Sequence, residues 1–294
     1  MYIKFTKLLL ALMLMTVVSA CGAKPKSIVV GAKDFTEQDL MGNLLKLLIE
    51  GNTDITVEYK HEMSSNVLFS ALKSGDVDVS IDYTGTVYAF YLGNQEVKSA
   101  EETFAIASKG VQEQFNIRML DPLGFNNTYT LSVREDTATK YNLKTYSDLA
   151  KVSKDLKLGA TFEILNRNDG IPNLKVVYGM EFMEEKAIDG TLRYIAIKND
   201  EVQVVDAFST DGLLIEYNLV VLQDDLNFFP PYQAVPLVRE DTLKEFPELL
   251  PELNKLKNVL DDASMRQLNY LVDVEQKNPT DVAREFLVSK GLIK

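Results

Sequence analysis

The chain has 294 residues and carries 31 Lys+Arg against 43 Asp+Glu, a formal charge of −12, which argues against nucleic acid because no positive field would gather phosphates. One Cys and one His rule out an internal disulfide and a cysteine-rich zinc site, and argue against a His-dependent triad or a multi-His metal site. With no Trp, any aromatic pocket must come from the 13 Tyr and 14 Phe, and the length suits one large domain or two of moderate size.

Residues 1–20 read as a signal peptide. Lys4 and Lys7 give a positive start, and the apolar run 8–18 is too short to be a good membrane span. Val18-Ser19-Ala20-Cys21 then resembles a bacterial lipobox, in which Cys21 receives a diacylglycerol. The alternative is an ordinary signal peptide with an incidental cysteine. Lipidation would tether a soluble body outside the cytoplasmic membrane, with residues 21–26 as the lipidated tether.

Residues 27–31 (SIVVG) read as a buried strand. Thr36-Glu37-Gln38-Asp39 resembles a capping box, and Leu40, Leu44, Leu45 and Leu48 continue a helix that stops at Gly51. Residues 55–60 alternate as a strand, residues 64–74 form an amphipathic helix ended by Gly75, and Val77, Val79 and Ile81 alternate with polar residues as a third strand. Strand, helix, strand, helix, strand is the pattern of a parallel α/β layer. Further strands are expected at 130–134, 157–161 and 202–207, and the tail from 241 to 294 reads as helical. The candidate crossing points between two lobes are Pro122-Leu123-Gly124 and Phe229-Pro230-Pro231.

Familiar catalytic frames are absent: there is no G-x-S-x-G elbow, Walker A loop or G-x-G-x-x-G. His61-Glu62 starts like a zincin motif, but Ser65 stands where the second His belongs. Asp76, Asp78 and Asp82 alternate with Val and Ile, which marks a strand face rather than a calcium loop. No catalytic residue, metal or cofactor is assigned.

Four segments, in order and with compatible spacing across the mature chain, carry a resemblance: Gly31-Ala32-Lys33-Asp34-Phe35-Thr36-Glu37-Gln38; Asp82-Tyr83-Thr84-Gly85-Thr86; Pro122-Leu123-Gly124-Phe125-Asn126-Asn127-Thr128-Tyr129; and Asp206-Ala207-Phe208-Ser209-Thr210-Asp211-Gly212 continuing to Phe228-Phe229-Pro230-Pro231-Tyr232. They resemble the substrate-binding lipoproteins of Gram-positive ABC importers for glycine betaine, carnitine and choline. The resemblance implies an α/β, two-lobed type II periplasmic-binding-protein fold with two hinge crossings, lobe I at 27–121 and 224–294 and lobe II at 122–223. It implies an aromatic cage of Tyr83, Tyr129, Phe208 and Tyr232 around a quaternary ammonium, Tyr being the family's usual residue at the position of Phe208. It also implies polar contacts from Gln38 and Asn127, whose amides are expected to donate to the ligand, and from Thr86, which lines the site. The start of the helix at residues 36–39 would favour the ligand's carboxylate. Arg167, in an Asn-Arg-Asn-Asp-Gly turn, and Asp82 are read as structural.

A trimethylammonium has no N–H and therefore favours ring faces, each offering about 0.5–1 kcal/mol when exposed and about 2 or more when desolvated. The implied partners are a quaternary ammonium solute, a membrane permease with its ATPase, and the membrane itself through the lipid; a monomer is expected. Thr86 is neutral, which favours zwitterions or a broad range over a bare cation. The alternatives are another trimethylammonium ligand, such as ergothioneine, or an extracellular enzyme on the same scaffold.

Overall fold

The computed structural model describes residues 26–294 except Asp189. The signal segment and Cys21 lie outside the described residues. Ten strands form two five-stranded sheets. The first sheet contains β1 (Ser27–Lys33), β2 (Thr56–Met63), β3 (Val79–Tyr83), β4 (Ile117–Met119) and β10 (Ala234–Arg239), in the order β2-β1-β3-β10-β4. The second contains β5 (Tyr129–Arg134), β6 (Lys157–Ala160), β7 (Glu184–Ala187), β8 (Val204–Phe208) and β9 (Leu219–Val221), in the order β7-β6-β8-β5-β9.

The expected parallel layer is present: β1 pairs in parallel with both β2 and β3. Its crossovers are the helices Thr36–Asn52 and Ser65–Ser74, the second closed by Gly75 at φ 90°. Leu40, Leu44, Leu45 and Leu48 are buried as one face of the first helix, the 3.6-residue spacing placing them together against the sheet. The capping box at its start does not form. Phe35 is the N-cap residue, without a side-chain cap, and the Thr36 hydroxyl donates instead to Asp273 from the tail.

β10 runs antiparallel between β3 and β4, so the first sheet is completed by chain returning from the second. The two sheets are joined by residues 120–128 and 222–233, which contain Pro122-Leu123-Gly124 and Phe229-Pro230-Pro231. The connections run side by side. Leu123 N–H donates to Ala234, Ala234 N–H to Phe125, and Asn127 N–H to Tyr232. Gly124 has φ 112°, and a Cβ there would lie 2.2 Å from the Leu260 carbonyl oxygen, so only glycine fits this crossing.

The helical tail comprises Glu240–Glu245, Leu249–Leu253, Asp262–Asp273 and Pro279–Ser289. Its helix Asp262–Asp273 packs on Thr36–Asn52 and also reaches the second sheet's side. Arg266 donates to the Ser209 carbonyl at 2.9 Å, and Asn269 donates to that of Thr210 at 2.9 Å. At the other end of the chain Lys26, the last residue of the expected tether, is held by Asp54 and Glu248 at 3.0 and 2.6 Å. No described helix is long and apolar enough to cross a membrane.

Candidate functional site

The site follows from where strands stop. Tyr83 ends β3 and Phe208 ends β8, while Tyr129 begins the antiparallel β5 directly opposite Phe208. Tyr232 lies two residues before β10, whose first residue pairs with Tyr83. Antiparallel direction thus brings starts and ends to the same edge, at the topological switch where α/β sheets place ligands. All four residues line one cleft of 640 Å³, which takes its walls from both sheets.

Tyr129 lies 4.9 Å from Phe208 between ring centroids and edge-on to Tyr232 at 5.6 Å. A fifth ring, Phe35, stacks on Phe208 at 5.1 Å and on Tyr83 at 6.5 Å, joining the two sides of the cluster. Gly85 permits this packing. A Cβ at that position would lie 2.7 Å from the Tyr232 ring and 2.9 Å from the Pro231 carbonyl oxygen. Thr86 follows as the first residue of a π-helical turn (Thr86–Tyr91), a wide turn often found at functional sites, and it also lines the cleft.

The polar lining includes Lys33, Asp34, Glu62, Thr86, Glu163 and Arg193. Lys33 Nζ is 2.6 Å from Asp82 and 5.3 Å from the Tyr83 ring centroid. Asp82 also accepts from the Tyr91 hydroxyl. Ser65 donates to Glu163 at 2.7 Å, a bond between the two lobes across the cleft. Burial pushes the Glu163 carboxyl up, but Lys33 and Arg167 outweigh it and hold the group below its usual range. Arg167 is buried and paired with Glu163 and Asp169. Its guanidinium sits 4.0 Å over Phe90, which locks the turn, and it does not line this cleft.

Two unpartnered polar atoms belong to this cleft's walls. The Tyr232 hydroxyl and Asn127 Oδ1 are buried, and neither has a hydrogen-bond partner among the described residues. Such atoms cost about 1–3 kcal/mol each unless something binds them.

The profile of the substrate binding domain of ABC-type glycine betaine transport systems matches residues 26–289. The chain belongs to this family. It is 39% identical to the carnitine transport binding protein OpuCC of Listeria monocytogenes over 90% of this chain and 87% of that protein. It is 35% identical to the ergothioneine transport permease/ergothioneine binding protein EgtU of Helicobacter pylori, over 91% of this chain and 48% of that longer protein. A solved glycine betaine/carnitine/choline ABC transporter structure superposes with a TM-score of 0.74 at 34% identity, covering 91% of this chain and all of the other. Two sheets with two crossings accord with this family's two-lobed fold.

Within this family setting, the residues expected at the site divide into two groups. Tyr83, Tyr129, Phe208, Tyr232, Thr86 and Asn127 line the cleft, whereas Gln38 lies behind it, its Nε2 donating to the Tyr83 hydroxyl at 3.1 Å. Each of the two amides expected to donate to a ligand makes one bond within the protein. Gln38 Nε2 gives one N–H to Tyr83 and Asn127 Nδ2 gives one to Glu37 at 2.7 Å, which leaves one N–H on each amide. The first turn of the helix Thr36–Asn52 carries the chain's own acidic residues, Glu37 and Asp39. Burial and the charge of Glu37 push the Tyr83 phenol well above its usual range, so it remains a donor, to Glu37 at 2.6 Å. Phe35 was not singled out by sequence reasoning. It stands inside the first family segment, and its signal there was an apolar ring at a helix N-cap, where Ser, Thr, Asp or Asn is usual.

Proposed function

We propose that the chain is the extracytoplasmic receptor of an ABC importer for quaternary ammonium solutes of the glycine betaine, carnitine and choline type. The observation that carries this reading is the convergence of Phe35, Tyr83, Tyr129, Phe208 and Tyr232 from both sheets around one cleft. A charge spread over methyl groups gains nothing from a hydrogen-bonding carboxylate and is stabilised by ring faces, about 2 kcal/mol or more per desolvated ring. At the polar wall, Lys33 and Thr86 suit the carboxylate of a zwitterion.

The division into lobe I (27–121 and 224–294) and lobe II (122–223) is supported by sheet membership. Ligand held by rings from both lobes favours the closed arrangement. In this reading the loaded receptor hands its solute to a permease driven by a cytoplasmic ATPase. The receptor is a monomer and performs no chemistry on the solute. It is held at the outer face of the cytoplasmic membrane of a Gram-positive cell by a lipid on Cys21.

Titration calorimetry with glycine betaine, carnitine, choline and proline betaine tests this. Binding of at least one without turnover is expected; no binding by a well-folded protein refutes it. Ergothioneine, a trimethylammonium betaine named for the Helicobacter pylori relative, belongs in the same titration as the second reading.

A further inference from the structure

The buried charges around the cleft are not equivalent. Lys33 is paired with Asp82, Arg167 with Glu163 and Asp169, and Arg193 with Asp206 and Asp211. Glu37 is different. It is fully enclosed, takes hydrogen bonds only from neutral groups, and has no cationic partner among the described residues. Tyr83 Oη and Asn127 Nδ2 donate to its Oε1 at 2.6 and 2.7 Å, and Thr210 Oγ1 and Asn269 Nδ2 donate to its Oε2 at 2.5 and 3.1 Å.

This arrangement is that of an ionised carboxylate. An amide nitrogen only donates, and the Tyr83 hydroxyl already accepts from Gln38, so its own proton points at Glu37. Oε1 therefore receives two fixed donors and Oε2 one, from Asn269, so three of the four contacts suit an ionised carboxylate, and the Thr210 hydroxyl can turn its hydrogen to serve the same state. Burial is the larger effect and holds the Glu37 carboxyl above its usual range, while the hydrogen bonds from Thr210, Tyr83, Asn269 and Asn127 limit that rise. Glu37 does not itself line the cleft; the ring of Tyr83 stands between.

We infer that Glu37 is the counter-charge for the ligand's quaternary ammonium, acting through the Tyr83 ring as a positioning residue rather than by contact. The inference rests on the cleft reading given above. A phenol that donates to a carboxylate is electron-rich, so its face attracts a cation more strongly. The carboxylate's own field adds to this in an interior that screens it poorly. With the charge behind a ring, an ammonium bearing N–H groups gains no hydrogen bond from it. A quaternary head loses nothing by this, so the arrangement favours methylated over unmethylated ammonium.

The test compares glycine betaine with 3,3-dimethylbutanoate, which has the same shape and carboxylate but an uncharged head, by competition binding. In Glu37→Gln the preference for the charged head is expected to fall on the order of tenfold, the effect of a unit charge several ångströms away. In Glu37→Asp, which keeps the charge, the preference is expected to survive. If Glu37→Gln weakens both compounds equally, its role is structural and the inference fails. It also fails if Glu37→Asp loses the preference as fully as Glu37→Gln. Should Glu37→Gln not fold, Tyr83→Phe severs the ring from the carboxylate: a several-fold drop in the preference supports the inference, and an unchanged preference overturns it. Failure of the wild-type protein to bind glycine betaine, carnitine or choline would refute the cleft reading before any variant is made, and this inference with it.

Discussion

Tyr232→Phe separates two roles of one side chain. The hydroxyl is enclosed and unpartnered, whereas the ring packs edge-on to Tyr129 at 5.6 Å and closely against Gly85. Phenylalanine keeps the ring contacts and deletes only the oxygen. An unsatisfied buried hydroxyl costs about 1–3 kcal/mol, and the void left by one oxygen returns a small part of that. The ligand-free variant is therefore expected to be about 1 kcal/mol more stable, which for a chain of this size raises Tm by roughly 2–4 °C. With ligand the sign reverses. If the hydroxyl meets the ligand's polar end, its net worth is about 1 kcal/mol, and affinity falls about fivefold. Scanning calorimetry with and without glycine betaine reads both effects, a higher ligand-free midpoint and a smaller gain on saturation. A ligand-free midpoint below that of the wild type would refute the reasoning, because it would show the hydroxyl to be satisfied in the free protein.

Phe35→Ala removes the ring that joins Tyr83 to Phe208 and is expected to weaken glycine betaine binding by about tenfold or more in titration calorimetry, at roughly 2 kcal/mol per desolvated ring. Asp82→Asn leaves Lys33 buried without its charge partner and is expected to cost about 3–5 kcal/mol in urea unfolding. Asp273→Asn tests a pH dependence. Burial pushes the Asp273 carboxyl from 3.8 up to about 6, with the Thr36 hydrogen bond opposing and Asp211 adding to it. A raised carboxylate binds its proton more tightly folded than unfolded, so its charge costs stability as pH rises from about 4 to 6. At about 1.4 kcal/mol per pH unit the cost is at most about 3 kcal/mol. The variant should therefore gain stability at pH 8 relative to wild type and show no gain near pH 4, in paired urea titrations.

The parts of the fold that could be read from the sequence are those in which one local rule decides. Val77, Val79 and Ile81 alternate because they lie in a sheet, and Gly75 stops its helix because αL geometry suits glycine. β10 was not read because Pro236 interrupts its pattern and its partners, β3 and β4, are far away in sequence. β7 was missed because Glu184–Ala187 is an exposed edge with no apolar alternation. Four rings that line the cleft could be named because they sit in recognisable segments. Their partners could not, since Thr36 meets Asp273 and Glu37 meets Thr210 and Asn269 only after the chain has folded back on itself. Local sequence made Thr36 look like a cap, and a long-range contact with Asp273 reassigned it.

The helix Asp262–Asp273 has a consequence for the energetics of capture. By holding the Ser209 and Thr210 carbonyls through Arg266 and Asn269, it ties the segment after β8 of the second sheet to the helical tail along one edge. Lobes joined only by two connecting segments would explore many mutual orientations, and a ligand would have to remove that freedom on binding. With one edge fastened, most of the ordering is complete before the ligand arrives, and less of the ring–cation attraction is lost to conformational entropy. Affinity in such a receptor is set partly by a helix that never touches the solute.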